Sequence, residues 1–213
     1  MLYHVVVFLV RIAMYIWYDL HIEGRENIPK GRAFVYASNH RSYADPVLVS
    51  ISGRGRFSFM AKSELFEKPL FAWLIRALGA FPVERGKGDT AAIDRAVANV
   101  QHGTNLLIFP EGTRSKDGRV GRGKTGVALI AARAGADVVP VGISFVGKLH
   151  FRSKVTVRIG KPIPAATLAV EDGLTDRELL RKLKSDVVPP IMDAIRGLVD
   201  APPALPDDAG KEA

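Results

Sequence analysis

AFVYASNHRSYADP, residues 33–46, decides the fold. An apolar run, residues 33–37, reads as a buried strand. The polar corner Ser38-Asn39-His40-Arg41-Ser42 follows, and Pro46 suits the first turn of a helix. The same alternation recurs along the chain. FSFMA (57–61) is a second strand, with Ser63 predicted to N-cap a helix and Glu64 in its first turn. Residues 80–83 form a third extended stretch. A helix begins at Asp89 or Thr90 and runs to Gly103, carrying Ile93, Val97 and Val100 on one face. NLLIF (105–109) is a buried-type strand, residues 126–134 a helix closed by Gly135, and DVVPVGISF (137–145) another strand. Val155, Val157 and Ile159 alternate as in a half-buried edge strand. Thr175 and Glu178 form a capping box before Leu179, Leu180, Leu183 and Val187, in a helix that Pro189-Pro190 is expected to interrupt. Strands alternating with helices imply an α/β fold with a mainly parallel sheet flanked by helices.

A chain of 213 residues with 47% apolar content builds one sizeable core and excludes disorder throughout. No cysteine is present, which removes disulfides, thiolate metal sites and cysteine nucleophiles. Five scattered histidines with no His-Glu-x-x-His argue against a zinc hydrolase, and no metal site is expected. The net charge of +8 favours anionic partners.

Residues 1–18 are apolar or aromatic except His4 and Arg11. As a helix they extend about 27 Å, barely a bilayer core. Arg11 would then lie near the middle, at a cost of about 3 kcal/mol. With Tyr15, Trp17 and Tyr18 at one end, the expectation is a membrane-associated helix (1–20) that enters one leaflet, with Arg11 reaching the headgroups; a helix buried in the core is the alternative. The main folded body is assigned to 21–200, and the Pro/Ala/acid-rich 201–213 to a flexible tail.

Four stretches carry chemistry or shape a site. In Asn39-His40-Arg41-Ser42-Tyr43-Ala44-Asp45, a His and an Asp five apart span one turn at a strand end. A carboxylate on one imidazole nitrogen fixes the tautomer, leaving the other to draw a proton from a hydroxyl. Alone, the pair reads more readily as a structural histidine beside a helix-capping Asp. Phe109-Pro110-Glu111-Gly112-Thr113-Arg114-Ser115 also follows a strand, where open α/β sheets bind ligands, and its hydroxyls and Arg suit a polyol phosphate. Phe81-Pro82-Val83-Glu84-Arg85-Gly86 sets an Arg beside a Gly that lets a phosphate approach. Val138-Val139-Pro140-Val141-Gly142 has no titratable group and is expected only to shape a pocket.

In this order the four stretches resemble the glycerolipid acyltransferase family, specifically its 1-acylglycerol-3-phosphate acyltransferases, over residues 39–142. Met60-Ala61-Lys62-Ser63-Glu64-Leu65 is similar to the family's second strand and following helix. The resemblance implies direct acyl transfer from a thioester to a glycerol hydroxyl, with no acyl-enzyme and no cofactor. His40 would be the general base and Asp45 its orienting partner. Arg85, Gly86, Glu111, Gly112, Thr113 and Arg114 would hold the acceptor's glycerol phosphate, with Lys62 a further candidate. Glu111, itself anionic, would bond a hydroxyl or orient an Arg. Backbone amides at the start of the first helix after the corner would serve the tetrahedral intermediate. The implied partners are lysophosphatidic acid, an acyl-CoA or acyl carrier protein donor, and the cytoplasmic face of a bacterial plasma membrane.

Gly118-Arg119-Val120-Gly121-Arg122-Gly123-Lys124-Thr125 matches the Gly-x4-Gly-Lys-Thr phosphate loop, but no strand leads directly into it and no later apolar strand ends in a magnesium-binding Asp. The reading here is a basic rim of Arg114, Lys116, Arg119, Arg122 and Lys124, or an ordinary solvated loop. Nucleic acid is not expected as a partner, since no recognition helix or aromatic-basic platform is present.

Overall fold

The computed structural model describes residues 2–83, 89–169 and 173–200. Along the chain run α1 (Leu2–Trp17), β1 (Asp19–Glu23), β2 (Val35–Ser38), α2 (Asp45–Ser52), β3 (Phe57–Lys62), α3 (Pro69–Ala77), β4 (Ala80–Val83), α4 (Thr90–Gln101) and β5 (Asn105–Ile108). Then come α5 (Gly126–Ala134), β6 (Val138–Ser144), β7 (Lys154–Ile159), α6 (Ala165–Leu168), α7 (Asp176–Lys182) and α8 (Val188–Arg196). Among the described residues the strands form one sheet, ordered β1-β7-β6-β2-β5-β3-β4. From β6 to β4 all neighbours are parallel, whereas β7 is antiparallel to β6 and carries β1 parallel to itself.

The period-2 alternation of strand side chains sorts the core into two layers. On β2, Val35 and Ala37 face a cluster with Ala96, Val97, Val127, Ile130, Ile191 and Ile195 from α4, α5 and α8. Phe34, just before the strand, and Tyr36 face the opposite cluster with Leu48, Ile51 and Phe57, where Val7, Val10 and Met14 of α1 also pack. Asp89 caps α4 by accepting from the Ala92 amide, Gly135 ends α5 at φ +60°, and the Thr175–Glu178 capping box is complete.

Several local expectations are corrected. The strand Lys154–Ile159 is not an edge: β1, whose short polar sequence DLHIE hides it, pairs beyond it in register from Asp19↔Lys154 to Glu23↔Arg158. Ser63 caps nothing. Residues Ser63–Phe66 form a 3₁₀ turn that starts at Lys62 without a side-chain cap, and α3 begins only at Pro69. Pro189 and Pro190 mark the interruption expected of them: α7 ends at Lys182, a π turn, Leu183–Val187, follows, and the prolines occupy the first turn of α8.

α1 is also not free to send Arg11 outward. Arg11 donates to the Ile51 carbonyl at 2.5 Å, at the C-terminal end of α2, and Tyr18 is buried. The opposite face of α1 remains apolar and exposed through Val5, Phe8, Leu9, Ile12, Tyr15, Ile16 and Trp17. Among the described residues no helix is long and apolar enough to cross a membrane. The tail assigned to 201–213 lies outside the described residues.

Candidate active site

His40 stands just past the C-terminal end of β2, and four contacts fix it. Its Nδ1 lies 2.8 Å from Asp45 Oδ2. Its backbone N–H donates to Glu111 Oε1 at 3.0 Å, and its carbonyl accepts from the Ser115 amide at 2.7 Å. Its ring stacks on Phe109, centroids 4.0 Å apart and planes 19° from parallel. Two segments distant in sequence are thereby locked around one imidazole. Asp45 Oδ2 also accepts from the Arg41 and Ser42 amides, at 2.6 and 2.7 Å, and the carboxylate is fully buried. Since that oxygen can only accept, Nδ1 carries the proton and Nε2 is left as the acceptor.

Asn39, to which the sequence reading assigned no role, anchors this corner. It is buried and exchanges two bonds with the backbone of Ile143 on β6: Nδ2 to the carbonyl at 3.0 Å, and the Ile143 amide to Oδ1 at 2.8 Å. This amide continues the β2–β6 pairing one step past the strand end. Arg41, also unassigned, tucks inward rather than toward a ligand. It donates to the Phe145 carbonyl at 2.6 Å, lies 4.0 Å over the Phe145 ring, and burial lowers its pKa. Neither role leaves a local sequence signal, because both partners are more than a hundred residues away.

Among the described residues the Glu111 carboxylate is held by backbone: Oε1 accepts from the His40 amide and Oε2 from the Gly121 amide, each at 3.0 Å. It clips the glycine-rich loop to the histidine corner. Gly112 has φ +71°, and a Cβ there would meet the Lys124 side chain, Nζ at 2.7 Å. Thr113 and Arg114 are exposed, and the Arg114 guanidinium sits 3.7 Å over the Tyr43 ring. Lys62 is exposed and paired with Glu64 at 2.6 Å, a bond that lowers the Glu64 pKa. Arg85 and Gly86 lie outside the described residues. The amides of Arg41, Ser42, Ala44 and Asp45 already have internal acceptors, so the start of α2 does not offer those donors to an intermediate as anticipated.

A cavity of about 430 Å³ opens beside His40. Its wall is mostly apolar (Met60, Val83, Ile93, Leu129, Ile130, Leu180), with Gly112 and Lys124 among its polar boundary. The loop 118–125 follows coil rather than a strand, unlike a nucleotide-binding loop. Val138–Gly142 does not line this cavity; Gly142 instead sits under the backbone of Leu198. Among the described residues no cluster of three or more His, Asp or Glu is placed to hold a metal.

The Acyltransferase family model matches residues 19–144, from the first residue of β1 to the last of β6, and contains both loops that hold His40. The chain belongs to the Acyltransferase family. Within it, a chloroplastic 1-acyl-sn-glycerol-3-phosphate acyltransferase of Arabidopsis thaliana is 36% identical over 141 residues, 65% of this chain and 39% of the relative. A lyso-ornithine lipid O-acyltransferase of Pseudomonas aeruginosa is 34% identical over 113 residues, 52% of this chain and 43% of its own. The chain thus spans about two-fifths of the length of these curated relatives. The crystal structure of the 1-acyl-sn-glycerophosphate acyltransferase PlsC from Thermotoga maritima superposes with a TM-score of 0.65 at 30% identity. That match covers 90% of this chain and 78% of the other. The acyltransferase fold places His40 at the C-terminal ends of parallel strands, the end at which open α/β sheets bind ligands.

Proposed function

We propose that the protein transfers an acyl group from a thioester to the free hydroxyl of 1-acylglycerol-3-phosphate, forming phosphatidic acid. The observation that carries this reading is the oriented His40–Asp45 pair opening onto an apolar cavity of about 430 Å³. The cavity suits a hydrocarbon chain, and the pair suits a hydroxyl nucleophile.

In this mechanism Nε2 of His40 takes the proton of the acceptor hydroxyl as its oxygen attacks the thioester carbonyl carbon. The tetrahedral intermediate collapses by breaking the C–S bond, and the imidazolium returns the proton to the departing thiolate. A positioned base contributes about 10²- to 10⁴-fold. Asp45 keeps Nε2 proton-free in the resting state and stabilises the imidazolium. Arg114 and Arg85 would hold the acceptor phosphate, with Lys62 auxiliary. Glu111 and Gly112 would shape the loop, Thr113 lies on the same loop, and Gly86 would give the phosphate room. Acyl-CoA or acyl carrier protein would be the donor, and no cofactor is required.

The exposed apolar face of α1 continues this reading to a membrane surface. So does α3, where Leu70 is 81% and Trp73 61% exposed. A face of this kind seats a protein in one leaflet and spares the acyl chains a passage through water. A second acceptor reading rests on the lyso-ornithine lipid O-acyltransferase, which is 34% identical over a shorter span of 113 residues, 52% of this chain.

The test is thiol release from acyl-CoA and, separately, acyl carrier protein, with lysophosphatidate or lyso-ornithine lipid as acceptor and His40→Ala alongside. Release that needs lysophosphatidate and His40 supports the proposal. Release with lyso-ornithine lipid alone transfers it to the second acceptor. Equal activity in His40→Ala refutes the base.

A further inference from the structure

At the opposite end of the strands from His40, by Phe34 before β2 and Asn105 at the start of β5, lies a cavity of about 560 Å³. Arg11 from α1, Arg25 from the 3₁₀ turn after β1 and Arg54 after α2 all line it. Part of their role is structural. Arg11 and Arg25 each donate one bond to carbonyls at the end of α2, Ile51 at 2.5 Å and Gly53 at 3.2 Å, which suits cations at a helix C-terminus.

That capping leaves most of their donors unused. Five buried side-chain polar atoms lack a hydrogen-bond partner among the described residues. Three are the Nε atoms of Arg11, Arg25 and Arg54. A fourth is the Tyr36 hydroxyl, which lies in the field of Arg25 and Arg54 beside the Arg54 backbone without a well-formed bond. Burial and repulsion from Arg11 and Arg54 lower the Arg25 pKa, and among the described residues no carboxylate acts on it. The pocket's other lining arginine, Arg32, is already paired with Asp137. Three converging guanidiniums without a counter-charge among the described residues are destabilised by their own repulsion, and buried unpaired donors add to that cost.

We infer that this pocket is a second anion site, in which Arg11, Arg25 and Arg54 bind a phosphate group. Guanidinium forks match phosphate oxygens in pairs, and the volume admits a headgroup. Phe8, on the exposed apolar face of α1, stands on the rim. A lipid headgroup phosphate would therefore reach the arginines while α1 occupies the leaflet. The anion assignment is independent of the reaction, whereas the lipid as its source rests on the membrane reading of α1.

The experiment compares wild type with the double variant Arg25→Gln/Arg54→Gln by thermal unfolding in phosphate against chloride at equal ionic strength. It adds sedimentation with phosphatidylglycerol or phosphatidylcholine vesicles. Saturating phosphate should raise the wild-type Tm by about 5 °C. The rise should persist in His40→Ala and in Arg85→Ala/Arg114→Ala, and vanish in the double variant. If affinity for phosphatidylglycerol vesicles also falls tenfold or more, the phosphate is a lipid's. If vesicle affinity is unchanged while the phosphate shift is lost, the ligand is soluble phosphate. A folded double variant that keeps the wild-type shift overturns the site. So does a wild type indifferent to phosphate whose vesicle binding ignores the substitutions. Should the double variant not fold, Ser50→Asp places a carboxylate on the same wall. It should raise the Tm without phosphate and abolish the phosphate effect; a retained effect refutes the site.

Discussion

His40 takes its position from both loops at once, so its neighbours separate by what they do to the imidazole. Asp45→Asn keeps the shape but loses the anion that orients the Nδ1 proton, and kcat should fall about 10²- to 10⁴-fold, with a lower Tm because Oδ2 also accepts from the Arg41 and Ser42 amides. Steady-state kinetics beside a melting curve checks this. Glu111→Gln acts through the loops instead of the ring, because the two carboxylate oxygens join the amides of His40 and Gly121. The amide side chain keeps an acceptor for only one of them, and charge-assisted bonds are worth about 1.5–3 kcal/mol each. Stability and kcat should therefore drop together, and an effect confined to KM would show that Glu111 binds substrate. The His40–Asp45 pair was legible because five residues of one chain bring the two together. The role of Glu111 was not, since its partners are backbone amides that any residue type supplies.

Tyr36 makes a second residue-scale case. It is fully buried, and burial pushes its pKa up to about 12 from 10.0. Between those values the unfolded chain releases the phenol proton while the native state keeps it. Stability present below pH 10 is thus lost as pH rises toward about 12, at about 1.4 kcal/mol per pH unit. Tyr36→Phe should flatten this slope in denaturant titrations at pH 9–12; an unchanged slope would assign it to other groups.

Among the elements, α1 shows how an apolar segment conceals two faces. Hydropathy along residues 1–18 registers one uniform run, and Arg11 looks like an intruder within it. Docking resolves the contradiction, with Val7, Val10 and Met14 on the core and Arg11 closing the end of α2, while Phe8, Leu9, Ile12 and Ile16 stay outside. Because those outer side chains touch little protein, Phe8→Glu/Ile16→Glu should leave Tm within about 2 °C yet weaken vesicle binding tenfold or more. A variant that sediments like wild type would move the membrane contact off α1. β1 was hidden for a related reason: five mixed residues after a helix have no pattern of their own, and their pairing with β7 lies more than a hundred residues away.

At the scale of the whole molecule, the far end of the chain reaches back to the site's foundations. Asn39 bonds Ile143 on β6, and Gly142, next to it, lies beneath Leu198. Asp200 completes the seal, its amide on Ser144 Oγ at 2.9 Å and its carboxylate on Arg158 at 2.7 Å. A central parallel sheet was legible from alternating strands and helices. The reversal of β7 and β1 was not, because direction depends on connections rather than on side-chain pattern. Nor was the use of Gly142, since a glycine in a strand does not say which backbone approaches it. A Cβ there would stand 2.5 Å from the Leu198 carbonyl oxygen, a backbone atom that cannot rotate away. Gly142→Ala should therefore lift the C-terminal segment off β6 and cost about 1–3 kcal/mol. Hydrogen exchange should show faster exchange at the amides of Leu198 and Asp200 and, through Ile143, at the Asn39 corner. If only the C-terminal amides respond, the segment seals the sheet without bracing His40. If the His40 corner loosens as well, the chain's last described turn supports the catalytic geometry.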